Sequence, residues 1–524
     1  MNKLSSSVRR SLLQKAATRK GGKWSLRSLA AMHDPDNLHS STAEILLSEV
    51  NVRLASQHQK CLKMMDSLGT KYEDTSPSAN TTSTCAGNSS SNTIIRAVNQ
   101  PLSLHGFSPK QWSDRAQQIE NSKNVALKGL KNLEILHADT FSITEHLLSN
   151  GRPTLKRFSE ADKSLIAATF EQIRSRHAAT VENIADISIE LRSSEVIEID
   201  YSSGSNSASS STGPRNEISP SLVDGFLRDR LGIQLLCDHY VGINKRKPGG
   251  GISVSCDFED VLTDAILESK SICDANFGIV PEVHVLFDIG TRIGNEGRQY
   301  NHNHNHNHNY NHNHNHNQLE DVEEETEMPS GSGEWDITLV RPWVHHALVE
   351  LLKNGMTSSV QKASLLPHDD DADTDADTDT TPPDLIVRVR HTTKNEDNDK
   401  ATSTAGEGSM QKYLVCEVMD QGLGLSENGI NRAFEFAESS SQQRWDRIDE
   451  QQSYAMVRAP IGSLGVGLPL SRMMMQMFGG DIHLECRTQV ENIYIDETTE
   501  TPYSLQVGCS ASLILPVEDD IEEL

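Results

Sequence analysis

The 524-residue chain is short of apolar residues, of positive charge and of paired cysteines. Hydrophobic residues make up 36% of it and the mean hydropathy is −0.50, so part of the length is too polar to pack into a core. Forty-eight Lys and Arg against 74 Asp and Glu leave a net charge of −26, which argues against nucleic acid, whose phosphates call for a basic footprint, while leaving room for a small basic pocket. No apolar run approaches the roughly 20 residues of a membrane helix, which argues for a protein with no membrane span. The eight cysteines are scattered with no CxxC among them, which gives neither a disulfide framework nor a zinc-ligand spacing and suits a reducing compartment.

The residues that are present divide the chain. Residues 1–33 carry eight Lys and Arg and no acid before Asp34, the Arg- and Ser-rich, amphipathic composition of a mitochondrial transit peptide; a basic tail outside the fold is the plain alternative. From 34 to 247, apolar residues such as Ile166, Phe170, Ile173, Val181 and Ile184 recur at three- and four-residue steps, and this predicts a bundle of antiparallel helices. The Ser-, Thr- and Asn-rich stretches 73–93 and 202–214 are expected to interrupt it as disordered loops.

Over 252–518 the pattern changes. LIVRVR (385–390), YLVCEVMD (413–420), IHLEC (482–486) and ASLILP (511–516) read as strands, alternating with helical segments in an α/β sandwich. Two low-complexity insertions are expected to be disordered. One (295–333) holds NHNHNHNHNYNHNHNHNQ and the other (366–384) holds HDDDADTDADTDTTPPD; an acidic tail closes the chain at 519–524. The His-Asn tract could chelate metal, but neither tract is assigned any catalysis.

Three segments carry chemistry. In RPWVHHALVELLKNGM (341–356), Val344, Ala347, Leu348, Leu351 and Leu352 share one helix face, while His346, Glu350 and Asn354 form a stripe with Lys353 and Thr357 beside it. Asn354 offers an oxygen to Mg²⁺, Glu350 a carboxylate able to polarise a hydroxyl, and His346 an imidazole positioned to tune it. A solvated helix face is the bland alternative for this helix taken alone. In MDQGLGLS, Asp420 ends a strand and can accept the exocyclic amine of adenine, while Gly422 and Gly424 let backbone approach a base. In PIGSLGVGLPLSR, Gly462, Ser463, Leu464, Gly465, Val466, Gly467 and Leu468 lead into a helix whose N–H groups and dipole favour phosphate.

ELLKN, then DQGLG, then SLGVGLPLSR, in that order, resemble the GHKL (Bergerat-type) ATP-binding fold. IRSRHAATVENIADIS, FLRDRLGIQLLCDHY and DAILESKSICDANFGIVPEVHV resemble the mitochondrial pyruvate and branched-chain α-ketoacid dehydrogenase kinases. The resemblance covers roughly 100–290 and 335–517. It implies an α+β protein, a helical bundle followed by a GHKL α/β sandwich. The implied activity is that of an ATP- and Mg²⁺-dependent protein serine kinase of the mitochondrial matrix, a homodimer docked on the lipoyl-bearing acyltransferase core and phosphorylating, and thereby inhibiting, the decarboxylase subunit of an α-ketoacid dehydrogenase complex. Carried over, Glu350 is the general base, His346 adjusts it, Asn354 holds Mg²⁺, Asp420 reads adenine and Gly462–Gly467 belongs to the phosphate lid. His177 matches the bundle histidine of the family in a structural or interdomain role.

The chain departs from the family at Ser463, where relatives have Gly, at Thr357, where they have Arg, and at Cys509, where they have Thr. RDRLGIQLL leans towards the branched-chain type, and VEDDIEEL lacks the acidic-aromatic tail of the pyruvate type. Two alternatives stand beside this reading. A two-component histidine kinase would need an acid after its phosphoacceptor His, which Arg176–His177–Ala178 lacks, and the departures favour an ATP-binding pseudokinase or scaffold.

Overall fold

The computed structural model describes residues 6–19, 21–32, 40–69, 109–150, 160–195, 218–247, 250–288, 335–365, 381–395, 410–438, 465–493 and 503–517. The stretches 73–93, 202–214 and 295–333, the tail 519–524 and most of 366–384 lie outside the described residues; of the last, 381–384 are described. The architecture is α+β, helical in its amino-terminal part and built on a sheet in its carboxy-terminal part. By contacts the chain divides into two units, one made of 1–21, 47–155 and 171–234, the other of 22–46, 156–170 and 235–524.

Among the described residues seven helices come first: α1 (Ser6–Ala17), α2 (Leu26–Ala30), α3 (Ser40–Ser67), α4 (Pro109–Asn150), α5 (Glu160–Arg176), α6 (Thr180–Glu195) and α7 (Pro220–Asn244). The apolar periodicity that runs without a break over 161–191 predicts one helix, and the structure has two. The reason is at His177. Its carbonyl accepts Arg230 Nη2 at 3.1 Å and the Thr180 N–H at 3.2 Å, so it is unavailable to the i+4 ladder and the helix ends.

In the first unit α4 packs along α6, and the residues that anticipate a shared stripe, Ile173 and Ile184, are 2% and 1% exposed. α2 belongs to the second unit, where it touches β3 (Asp336–Leu339). It opens with a capping box in which Ser25 and Ser28 each accept the other's N–H, and it buries Leu26 and Leu29.

The sheet of the second unit has the order β2-β4-β5-β9-β6, from β2 (Val283–Asp288), β4 (Leu385–Asn395), β5 (Met410–Met419), β6 (Asp481–Arg487) and β9 (Gly508–Pro516). β2 and β4 are parallel and the remaining neighbours antiparallel. β1 (Ser253–Asp257) pairs with β3 away from this sheet, and β7 (Glu491–Ile493) with β8 (Tyr503–Leu505). Among the described residues it also holds the helices α8 (Phe258–Phe277), α9 (Arg341–Leu365) and α11 (Gly467–Gln476), with the short α10 (Glu427–Arg432) after β5.

α9 is the central element, lying against α8 and α11 and touching β4, β5 and β9. Val344, Ala347, Leu348, Leu351 and Leu352 are all at most 3% exposed, as the periodicity of the segment requires, and Ile386, Val387 and Val389 of β4 are fully buried on the sheet. At about 25 cal/mol per Å² of apolar surface, each such Leu or Ile contributes roughly 1.5–3 kcal/mol. Among the described residues no helix is long and apolar enough to cross a membrane.

Candidate functional site

The buried stripe of α9 turns the other flank of the helix outward, and there the sequence sets a row of polar residues four apart: His346, Glu350, Asn354, Ser358 and Lys362. Glu350, Lys353, Asn354 and Thr357 are half-buried. Lys353 Nζ donates to Glu350 Oε1 at 2.5 Å, and this engages one carboxylate oxygen. The imidazole of His346 is largely enclosed. Desolvation lowers its pKa, against the attraction of Glu350, and its Nε2 is buried without a hydrogen bond. That nitrogen is therefore neutral near pH 7, one helical turn from the Glu350 carboxylate.

Both glycine segments close on this flank. A Cβ on Gly467 would lie 1.9 Å from Glu350 Oε2, so the first residue of α11 can only be glycine while the carboxylate keeps its place. A Cβ on Gly355 would be 3.5 Å from Asp420 Cβ, and one on Gly422 would be 1.9 Å from Ser358 Oγ. Ser358 Oγ in turn accepts the Leu423 N–H at 3.1 Å, and Lys362 Nζ donates to Gln421 O at 2.6 Å. Thus α9 meets the α11 start through Glu350 and the DQGLG turn through Gly355, Ser358 and Lys362.

Asp420 is 7% exposed. Burial pushes its carboxyl above the usual carboxylate range, and the N–H groups of Gly422 at 2.8 Å and Cys509 at 3.3 Å, both directed at Oδ1, act against that rise. Oδ2 is left for a donor that the chain itself does not supply in these contacts. The Asp420 backbone is clamped as well. Its N–H donates to Cys509 O at 2.9 Å, and its carbonyl accepts Arg487 Nη2. Gly424, in the left-handed region at φ 70°, turns the chain away from the carboxylate.

α11 is preceded by Gly465 at φ 63° and by its N-cap Val466, which makes no side-chain cap. The first N–H groups of any helix lack intrahelical partners, and here the first helical residue, Gly467, is the one packed against the Glu350 carboxylate. Leu468, Val466 and Gly465 are half-buried; Gly462, Ser463 and Leu464 lie outside the described residues. His177 stands elsewhere, in the first unit, fully buried with its Nε2 2.9 Å from Thr140 Oγ1.

Sequence reasoning named Glu350, His346, Lys353, Asn354, Asp420 and the glycines, and missed Ser358, Lys362, Arg487 and Gly508. The first two continue the i+4 row already visible at 346, 350 and 354. Gly508 and Arg487 carry no local signal, because only the β6–β9 pairing brings them under Asp420; a Cβ on Gly508 would lie 2.1 Å from Asp420 O.

The site therefore combines a half-buried carboxylate and amide on one helix, a buried carboxylate whose two N–H partners both meet Oδ1, and a helix start without a side-chain cap, groups with the chemistry to accept an amine and to donate to an anion. No family model matches the chain. The chain is similar to mitochondrial pyruvate dehydrogenase kinases. It is 20% identical over 410 residues to that of Schizosaccharomyces pombe, covering 74% of this chain and 75% of the relative. It is 22% identical over 322 residues to a probable member from Caenorhabditis elegans, covering 60% and 57%, and 21% identical over 271 residues to isozyme 1 of Homo sapiens, covering 50% and 45%. The chain thus spans three quarters of the yeast relative and about half of the other two.

Proposed function

We propose that the chain is an ATP-dependent protein serine kinase of the mitochondrial α-ketoacid dehydrogenase kinase family, with its second unit a GHKL-type ATP-binding domain. The observation that carries the reading is the closure of both glycine segments on one flank of α9, Gly467 against Glu350 and Gly422 against Ser358. Relatives named as mitochondrial pyruvate dehydrogenase kinases support it.

In this reading Asp420 Oδ2 accepts the exocyclic amine of adenine, while the Gly465–Leu468 turn gives N–H groups to the phosphates. The donor set fits Mg²⁺, which keeps several waters and takes one or two protein oxygens together with phosphates. Asn354 supplies that oxygen one turn from Glu350, and the ion would neutralise phosphate charge during transfer. The substrate serine Oγ bonds to the γ-phosphorus as the bond to the β-phosphate oxygen breaks, and Glu350 receives the hydroxyl proton. Lys353 holds Glu350 in place from Oε1, and neutral His346 adjusts its basicity.

The substrate is the decarboxylase subunit of an α-ketoacid dehydrogenase complex, which the kinase inhibits while a homodimer of it docks on the lipoyl-bearing core of the matrix complex. Residues 1–33 contribute the targeting signal. Purified kinase incubated with Mg-ATP and either the pyruvate or the branched-chain complex tests the proposal. Serine phosphate on one decarboxylase subunit is expected; acid-labile histidine phosphate, or none on either complex, overturns it.

A further inference from the structure

The cysteines are scattered in sequence, yet the fold sets two of them face to face. In the antiparallel pairing of β6 with β9, Cys486 is the direct register partner of Cys509, and their Sγ atoms are 3.2 Å apart. Directly opposed residues of such a pair have Cα atoms about 4.5–5.5 Å apart, within the roughly 4.4–6.8 Å that a disulfide spans. Closing an S–S bond of about 2.05 Å therefore needs the sulfurs to approach by about one ångström and no change of register. Access is graded: Cys486 is half-exposed and Cys509 is 9% exposed, whereas the other described cysteines are all buried.

We propose that Cys486 and Cys509 form an oxidative modification site, a thiol pair that reacts with a low-molecular-weight disulfide such as oxidised glutathione and closes into a cross-strand disulfide. The Cys486 thiolate attacks one sulfur of oxidised glutathione. That S–S bond breaks, a mixed disulfide forms on Cys486, and one glutathione leaves as a thiolate that solvent protonates. Cys509, after giving its proton to solvent, attacks Cys486 Sγ and expels the second glutathione. Two protein thiols are oxidised and one glutathione disulfide is reduced to two thiols.

The position of the pair gives the oxidation a consequence. Cys486 Sγ accepts the Leu425 N–H at 3.2 Å and donates to Leu425 O at 3.0 Å, so this sulfur anchors the turn that starts at Asp420. The Cys509 backbone exchanges hydrogen bonds with Asp420, N–H to Oδ1 at 3.3 Å and carbonyl to the Asp420 N–H at 2.9 Å. Oxidation removes the S–H given to Leu425 O and draws the sulfur towards β9, which releases one end of the turn while Asp420 stays tied to the strand. Resting on the reading that this turn holds the nucleotide, the disulfide form binds Mg-ATP more weakly than the dithiol.

The test incubates the full chain across a series of oxidised and reduced glutathione ratios, quenches with acid, alkylates the remaining thiols and maps the peptides. Loss of two alkylatable thiols, with a linked peptide joining 486 to 509, is expected. Cys509→Ser should stop at a glutathione adduct on Cys486, and Cys486→Ser should give neither product. Full alkylation of both thiols across the series overturns the proposal, as does pairing of Cys486 with another cysteine such as Cys85. Calorimetric titration of both forms with Mg-ATP reads the coupling: weaker binding by the disulfide form supports it and equal affinity overturns it. A reduced chain that binds no Mg-ATP removes the nucleotide reading and leaves the peptide map to decide on the thiol pair.

Discussion

The two units surround their ionisable groups differently. In the first, the helices enclose His58 paired with Glu134 at 2.9 Å, His137 with Nδ1 2.5 Å from Leu133 O, and His177 against Thr140, with the His137 and His177 rings 4.9 Å apart edge to face. Burial presses His137 down to about 4 and His177 to about 2, so both are neutral parts of a packed core. In the second unit apolar side chains such as Ile386, Val387 and Val389 fill the sheet beside α9, Glu350 is half-buried, and Asp420, 7% exposed, takes the N–H groups of Gly422 and Cys509 at Oδ1. Ionisable residues pack the core of the first unit, whereas in the second Glu350 and Asp420 are the ones proposed to meet a ligand.

That contrast is sharpest at Asp420. Asp420→Ala removes the only carboxylate proposed to read the base, and Asn354→Ala removes the oxygen proposed for Mg²⁺, so either variant should lose measurable Mg-ATP binding in calorimetric titration. The helical unit should keep its far-ultraviolet helix signal, since neither residue belongs to it. Wild-type affinity in both variants would break the comparison, because neither residue would then meet the nucleotide.

Glu350→Gln comes next in size. The amide keeps the volume beside Gly467 and can still meet Lys353 through its oxygen, but it accepts no proton. General-base catalysis contributes about 10²–10⁴-fold, so phosphate incorporation should fall by that factor while nucleotide affinity changes little. Gly467→Ala is the complementary variant. Its Cβ would lie 1.9 Å from the carboxylate and so displace it with the base itself left intact. Equal losses of transfer in the two variants would support a role that depends on the placement of Glu350.

How much of this was legible follows from what each signal depends on. The α9 stripe and the strands at 385–390, 413–420, 482–486 and 511–516 are local periodicities, and the structure has strands at each, running on to Asn395 in the first case and stopping at Met419, one residue before Asp420, in the second. The helix break at His177 was not legible, because it depends on Arg230, 53 residues away. Cys486 facing Cys509 was hidden for the same reason. Spacing along the chain found no CxxC, while the β6–β9 register supplies the pair. Arg487 and Gly508, which hold Asp420 from below, likewise exist as site residues only through strand pairing.

The helical unit can be tested through pH, with a smaller effect. Both histidines titrate near 6.5 in the unfolded chain and well below it when folded. Above pH 6.5 neither state binds the proton and stability is unaffected; below it the unfolded chain takes up protons that the folded chain refuses. Stability should therefore fall on acidification from about 6.5 towards 4, by roughly 1.4 kcal/mol per pH unit for each histidine. His177→Asn should be less stable than the wild type at pH 7 by about 1–3 kcal/mol, for the altered buried contact with Thr140. That deficit should narrow as pH drops, because the variant has one fewer site to protonate. Chemical denaturation at several pH values reads it, and a constant deficit would show that His177 is not held neutral.

The smallest effect expected is that of the two low-complexity tracts. Deleting 301–318 and 369–379 removes polar sequence between β2 and β3 and between α9 and β4, and neither deletion touches a residue placed at the site. Closing a loop costs about (3/2)RT ln n, so halving a loop changes stability by only roughly 0.6 kcal/mol, and in the favourable direction. Asp384 must be kept, since its carbonyl accepts Gln421 Nε2 at 3.1 Å and its carboxylate meets His284 Nε2 at 3.2 Å, which ties the end of the second insertion to the DQGLG turn. A deletion that stops at 379 should therefore leave the melting temperature within a few degrees and phosphate transfer near the wild-type rate. Carrying it through 384 should lower Mg-ATP affinity by loosening Gln421. Equal behaviour of the two deletions would show that Asp384 is a bystander and that the turn is set by α9 and β9 alone.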